Sequence, residues 1–180
     1  HALLTASFVG LPLLLANTLQ LPVNRHWELY LPVMTVAAFV MGASLHHMRE
    51  IAQSLRIVMV CVVAIGLALL GFALSGRHLV AFGVAAAVFF SAFNLLEAAL
   101  PSLVSRLAPE HLRGAAMGAY STSQFIGAFV GGTLGGIALG RLGPDGVFEC
   151  AAALTLLWLP LVVVGARRID RAAAVAGVTA

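Results

Sequence analysis

A glutamate lies in the middle of an apolar stretch of this sequence. Glu97 occurs in the segment FNLLEAALPS, residues 93–102, and the nearest arginines along the chain are Arg77 and Arg106. A carboxyl group in such surroundings can exist with or without its proton, because apolar side chains disfavour the charged form. Two interpretations stay open: Glu97 couples proton movement to function, or it is a structural acid that hydrogen-bonds a neighbouring helix.

Polar residues recur around Glu97 at helical spacing. At 100° per residue, five of them share one arc of roughly 140°: Ser91, Asn94, Glu97, Ser102 and Ser105. Glu97 precedes Arg106 by nine residues, or roughly 13 Å along a helix axis. A polar stripe on a membrane helix faces protein or a water-filled cavity. We therefore expect Ser91 and Asn94 to line a cavity together with Glu97.

A second polar cluster, residues 120–124, lies in a later apolar run and has the sequence YSTSQ. Gln124 is roughly 18 Å along a helix axis from Leu112, where that run begins. We expect Tyr120, Ser121 and Gln124 either to face a substrate or to hydrogen-bond neighbouring helices, as Ser, Thr and Gln side chains do within membranes.

Glycines recur at every fourth residue of the same run. Small residues at this spacing let two helix backbones approach closely in a membrane. The spacing predicts a helix-packing role for two rows of glycines: Gly127, Gly131 and Gly135 in the first, and Gly132, Gly136 and Gly140 in the second.

Other residues are weaker candidates for a metal or redox site. His46, His47 and Glu50 could suggest a metal, but a solvated loop among arginines is the favoured interpretation of that segment. Cys61 and Cys150 lie in apolar surroundings and fit no metal or redox spacing. We expect neither a metal nor another cofactor.

The composition indicates that a lipid bilayer surrounds these segments. Of the 180 residues, 61% are hydrophobic and 9% are charged, whereas soluble domains contain about 25% charged residues. The net charge of +3 comes from arginines alone, scattered between apolar runs. Scattered cations do not form the basic patch that nucleic-acid binding needs, so we expect no nucleic-acid partner.

Charged or turn-forming breaks divide the sequence into six apolar runs. Most reach the ~20 residues that a helix needs to cross the hydrocarbon layer, and they lack the alternation of barrel strands. The third and sixth runs are plain, whereas the fourth and fifth carry polar residues, which suggests two three-helix repeats of a secondary transporter. We predict an all-α polytopic membrane bundle of six transmembrane helices: 2–19, 29–45, 57–75, 79–104, 112–140 and 147–166.

Arginines are distributed unequally between the two sets of connecting segments, seven in one set and three in the other. The positive-inside rule makes the richer set cytoplasmic, and the C-terminus with it. We expect residues 168–180 to be a short disordered cytoplasmic tail. No basic stretch precedes the first apolar run, so we expect no signal peptide and a natural protein that is longer than this chain.

The segment FNLLEAALPSLVSRLAPEHLRGAAMGAYSTSQFIGAFVGGTLGG, residues 93–136, closely resembles the major facilitator superfamily of transporters. More narrowly, it is similar to the YajR-type bacterial inner-membrane transporters, a group classed with drug:proton antiporters. The stretches HALLTASFVGLPLLL and HWELYLPVMTVAAFV also resemble the seventh and eighth helices of that group. The resemblance extends from residue 1 to about residue 148.

The resemblance implies that residues 1–167 are the C-terminal six-helix bundle of a twelve-helix transporter of the inner membrane. Its partners would be the N-terminal six-helix half of the same transporter, the lipid bilayer, protons and a small drug-like or metabolite substrate. It implies alternating access by rocking of the two halves. With the residue pattern around Glu97, we expect proton-coupled efflux, with Glu97 as the proton-coupling candidate. In one departure from the family, His46 stands at the acidic position of the inner-loop motif, so no role is carried onto that loop.

Two other classes of protein compete with this interpretation. A membrane scaffold or sensor that transports nothing would have the same apolar helices. The string Gly42-Ala43-Ser44 resembles the serine motif of rhomboid proteases, but Leu45 replaces the following glycine and no histidine lies in a later span to act as base. We therefore predict that the chain is not an enzyme.

Overall fold

The computed structural model of the chain describes residues 1–44, 48, 50–76 and 78–175, and all regular secondary structure within this part is helical. The predicted all-α class is confirmed. A π-helical turn, Leu14–Thr18, extends the first helix. The helices are α1 Ala2–Leu13, α2 Trp27–Ser44, α3 Ile51–Leu74, α4 Leu79–Leu107 and a long helical segment Arg113–Val175.

The segment Arg113–Val175 consists of two helices that meet at Gly143. Gly143 has φ 75° and ψ −176°, a conformation that glycine adopts without the steric penalty other residues meet. Pro144 follows, and its fixed φ suits the first position of a helix. Residues 130–138 and 147–154 line one cavity of about 240 Å³, so the chain folds back at Gly143. Residues 113–142 are called α5 below, and residues 144–175 are called α6.

Four of these helical segments are long and apolar enough to cross a membrane: Val23–Ser44, Ile51–Leu74, Leu79–Leu107 and Glu110–Ile169. The last of them includes most of both α5 and α6. The N-terminal segment Ala2–Thr18 is also apolar but shorter. The chain is thus built from helices suited to a bilayer.

Two helix boundaries differ by six residues or more from those predicted, and the other described boundaries differ by at most three. The third helix begins at Ile51 rather than at residue 57. Its first turns contain polar residues, which a helix accommodates where it leaves the membrane, and hydropathy does not register them. The last helix continues to Val175, beyond the predicted end at residue 166. Its alanine-rich end favours the helix, which corrects the expected disorder as far as residue 175; residues 176–180 lie outside the described part.

A cluster of buried phenylalanines joins α3, α4 and α6. The ring of Phe72 on α3 lies 5.0 Å from Phe82 and 5.8 Å from Phe89 on α4, and 5.1 Å from Phe148 on α6, centroid to centroid. All four side chains are fully buried. Phe148 also packs against α1, since a Cβ added at Gly10 would lie 3.0 Å from its ring. These contacts hold four helices together at one end of the bundle.

A hydrogen-bonded contact joins α3 and α4 at the other end. The Nη2 atom of Arg106 donates to Oγ of Ser54 at 2.7 Å. Ser54 is fully buried, and its hydroxyl donates to the Glu50 carbonyl at 2.9 Å. Because Phe72 and Phe82 meet at one end while Ser54 and Arg106 meet at the other, α3 and α4 run antiparallel.

Replacing Phe72 is expected to destabilise the bundle. The Phe72→Ala variant should lose about 3–5 kcal/mol of unfolding free energy, because the packing partner of three other rings is removed. The Phe39→Ala variant is the control, since Phe39 on α2 is 76% exposed. Reversible unfolding of the purified protein in detergent measures both changes, and equal losses would contradict the central position of Phe72.

Candidate functional site

The polar residues of α4 and α5 meet at one point of the bundle. The side-chain Nε2 of Gln124 lies 3.0 Å from the hydroxyl oxygen of Tyr120 and 3.4 Å from Oε1 of Glu97. The amide therefore donates to a phenol oxygen on its own helix and to a carboxylate oxygen on the neighbouring one. Three residues that the sequence marks separately form one hydrogen-bonded group across α4 and α5.

This group lies well inside both helices. Glu97 precedes the end of α4 by ten residues, which is roughly 15 Å along the axis. Gln124 follows the start of α5 by eleven residues, which is roughly 16 Å. Both helices are measured from the same connection, so the two side chains lie at matching depth. The Glu97 side chain is 39% exposed, so the group is also open on one side.

Pro101 changes the backbone beside this site. It lies within α4, one helical turn after Glu97. Proline has no N–H, so it cannot donate the usual helical hydrogen bond to the carbonyl of Glu97. The turn that carries the carboxylate is therefore held by one backbone hydrogen bond fewer than an ordinary helical turn.

His1, the residue just before α1, also contacts the site. Its Nδ1 lies 3.6 Å from Oε1 of Glu97, and its ring makes an edge-to-face contact with Phe93, 5.6 Å between centroids. The distance of 3.6 Å is longer than a hydrogen bond, so the contact is electrostatic. No periodicity or polar cluster in the sequence marks His1, which stands just before the first apolar run.

The other predicted cavity residues lie nearby without joining the hydrogen-bonded group. Ser91 and Asn94 are half-buried on α4, and Ser121 is half-buried on α5. Within the described part of the chain, no hydrogen bond of these three side chains is found. Their helical spacing places Ser91 and Asn94 on the Glu97 side of α4. Their role in lining a cavity stays a prediction.

The first glycine row lies against α1. A Cβ added at Gly135 would lie 2.8 Å from the Cα of Ala6, and one added at Gly131 would overlap the backbone carbonyl of Ala2. Real Cβ atoms are not found so close to other backbone atoms, so both positions accept only glycine at this helix separation. The two backbones approach closely along this row.

The contact between α1 and α5 also has a fixed register. The Thr5 hydroxyl lies 3.0 Å from the carbonyl oxygen of Ala128 and donates to it across the two helices. At Gly127 an added Cβ would lie 3.5 Å from the Cβ of His1. The glycine row therefore determines where the imidazole lies relative to Glu97 on α4.

The second glycine row has a different environment. Among the described residues, nothing lies within 4 Å of the position that a Cβ would take at Gly132, Gly136 or Gly140. The packing role of this row stays a prediction, because the face is open in this chain. Spacing alone gives the two rows the same signal, although only one of them contacts a helix here.

The metal candidates remain without structural support. In the part of the chain that the structure describes, no group of three His, Cys, Asp or Glu residues is arranged to hold a metal ion. His46 and His47 lie outside that part. Cys61 is buried and Cys150 is exposed, and each is a free cysteine.

Apolar helices with a polar group at their centre are features of a polytopic membrane protein. The chain is similar to the inner membrane transport protein YajR of Escherichia coli (strain K12), with 39% identity over 165 residues, or 88% of this chain and 35% of that protein. An uncharacterized transporter of Buchnera aphidicola subsp. Acyrthosiphon pisum is 29% identical over 134 residues, which cover 73% of this chain and 33% of that protein. Another, from Buchnera aphidicola subsp. Baizongia pistaciae, is 34% identical over 87 residues, which cover 48% of this chain and 22% of that protein.

No family model matches the chain. The predicted resemblance to YajR-type transporters is confirmed by the first match, which extends over most of the chain. The chain spans about a third of the length of the first two of these relatives.

Enlarging Gly131 is expected to separate α1 from α5. The Gly131→Ala variant should lose roughly 1–3 kcal/mol of stability, because the added methyl group forces the backbones apart. Gly114→Ala is the matched control, since nothing described lies within 4 Å of the Cβ position at Gly114. Thermal unfolding in detergent compares the two variants. A Gly131→Ala variant as stable as the control would show that the close approach is absent.

A double-mutant cycle tests the bond between α4 and α5. The variants Glu97→Ala, Gln124→Ala and their combination should show a coupling energy of about 0.5–1.7 kcal/mol, the range for hydrogen bonds between membrane helices. Thr122 is the control partner for Glu97, because its hydroxyl donates to the Gly118 carbonyl of its own helix at 2.9 Å. The Glu97–Thr122 pair should be additive; equal coupling in both cycles would contradict a specific contact.

Proposed function

We propose that this chain is the C-terminal six-helix bundle of a major facilitator superfamily transporter in the bacterial inner membrane. The division of Arg113–Val175 at Gly143 supports six helices, as does the apolar N-terminal segment Ala2–Thr18. The name of the YajR relative supports the membrane and the transport activity. The rest of that protein's length corresponds in this proposal to an N-terminal six-helix half.

The proposed orientation in the membrane rests on several arginines that lie at one end of the bundle. Arg106 contacts Ser54 near the start of α3, and Arg113 donates through Nε to the Ser105 carbonyl at 3.0 Å. Arg56 and Arg167 line a common groove at the adjoining ends of α3 and α6. The positive-inside rule favours the cytoplasm for this end, and the C-terminus lies there in the proposal.

The observation that carries the mechanism is the contact of Glu97 with Gln124, which is bonded to Tyr120. An ionised Glu97 accepts the hydrogen bond of the amide. A protonated Glu97 can still accept this bond through its carbonyl oxygen, but it also has an O–H donor that the ionised form lacks, and this donor needs an acceptor among the neighbouring groups. The imidazole of His1, 3.6 Å from the same carboxylate, adds a second group that binds a proton. Proton arrival would thus change how three helices are held together.

Transport would then be exchange of protons for a small amphipathic compound by alternating access. The two six-helix halves would rock against each other, with Tyr120, Ser121 and Gln124 facing the substrate. Ser91 and Asn94 would line the same cavity on α4. Because Glu97 hydrogen-bonds Gln124, which would face the substrate, its protonation and substrate binding would compete for the same side chains.

The experiment is proton-coupled transport by the full-length protein in phospholipid vesicles. A pH-sensitive dye inside the vesicles reports proton flux when members of a panel of drug-like amphiphiles are added. The Glu97→Gln variant should lose compound-dependent proton flux, because the amide binds no proton, and should retain exchange of labelled compound across the membrane. Flux that is unchanged in Glu97→Gln would remove this residue from the coupling mechanism.

The matched control is Glu110→Gln, which removes an exposed carboxylate before α5. This variant should behave like the unaltered protein. If no compound of a broad panel produces flux or exchange with the unaltered protein, the alternative of a non-transporting scaffold or sensor bundle is favoured instead.

A further inference from the structure

A groove lies between the start of α3 and the end of α6, away from the polar site. Its volume is about 300 Å³, and the described residues that line it belong to these two helices, among them Leu55, Arg56, Met59, Val163 and Arg167. The volume is near the lower limit of ~300–1,000 Å³ for small-molecule sites. The groove therefore has room for a headgroup and the start of a chain rather than for a large solute.

Charged and apolar residues occupy different levels of this groove. Met59 follows Arg56 by three residues along α3, and Val163 precedes Arg167 by four residues along α6. At helical rise, the two apolar side chains lie roughly 4–6 Å further from the helix ends than the two arginines. The groove thus has positive charge at its mouth and an apolar wall deeper in.

Arg56 and Arg167 are both exposed. Neither forms an ion pair with a described carboxylate; the ion pairs found there join Glu97 with His1 and Glu28 with Arg25. The two guanidinium groups thus place positive charge, unpaired by any carboxylate in the described part of the chain, on opposite walls of one groove. A ligand that carries negative charge would be held from both helices.

We propose that this groove binds an anionic phospholipid of the cytoplasmic leaflet. Guanidinium groups bind phosphate oxygens through paired N–H donors, so Arg56 and Arg167 would hold the lipid phosphate between them. The first part of an acyl chain would lie along Met59 and Val163. Basic grooves between membrane helices on the cytoplasmic side suit lipid headgroups, which combine a phosphate with an attached chain. The proposal concerns lipid binding and does not depend on transport activity.

Native mass spectrometry of the full-length protein in detergent tests the proposal. The protein is titrated with phosphatidylglycerol and, separately, with phosphatidylcholine. The unaltered protein should retain phosphatidylglycerol more tightly. The Arg56→Gln/Arg167→Gln variant should bind it about twenty-fivefold more weakly, from roughly fivefold for each arginine near a lipid surface. Equal affinity in the variant and the unaltered protein would overturn the proposal.

Arg168→Gln is the matched control, because Arg168 is an exposed arginine next to Arg167 that does not line the groove. It should retain phosphatidylglycerol, whereas the single Arg167→Gln variant should bind it roughly fivefold more weakly. An equal loss in both single variants would show a diffuse charge effect instead of a site. Met59→Trp keeps both charges and fills the apolar wall, so it should also weaken lipid binding. Full displacement of the lipid by an equal concentration of inorganic phosphate would contradict a role for the acyl chain.

Discussion

The close approach of the α1 and α5 backbones determines where the side chains of the polar site lie relative to one another. Ala2 and Ala6 occupy space beside Gly131 and Gly135 that a larger side chain would fill. Lipid supplies no hydrophobic drive for two apolar helices to associate, so the contact relies on dispersion forces and shape. Its register brings the imidazole of His1 to the carboxylate of α4. The geometry of a polar site thus depends on residues with no side-chain chemistry.

Three helices each contribute to the polar group at the centre of the bundle. Gln124 donates hydrogen bonds to Tyr120 on its own helix and to Oε1 of Glu97 on α4. His1 approaches the same Oε1 atom from the α1 side. On the side of this group that packs against the helices, a change in one member is only weakly screened, so it affects the hydrogen bonds of the others. The Phe72 cluster and the Arg106–Ser54 contact hold α3 and α4 at their ends, away from this group.

The sequence predicted the helical class and the positions of Glu97, Tyr120 and Gln124 on polar faces. Periodicity places a residue on one side of its own helix, but it carries no information on how two helices are rotated against each other. The Gln124–Glu97 contact could therefore not be predicted from the sequence. The start of α3 was also missed, because hydropathy detects apolar residues and not the polar first turns of a helix. Likewise, equal spacing could not distinguish the Gly131 row from the Gly132 row, since the difference lies in the neighbouring helix.

The junction at Gly143 has a mechanical consequence. One non-helical residue joins α5 to α6. Because no longer linker separates the two helices, one helix cannot move far without moving the other. From Gly143 to Arg167 the second helix extends for 24 residues, or roughly 36 Å. We expect a small displacement of α5 beside Gln124 to be transmitted through the Gly143 junction to α6. The far end of α6 would then move relative to the rest of the bundle. The opposite surface of the protein would then respond to events at its polar centre without any flexible loop between them.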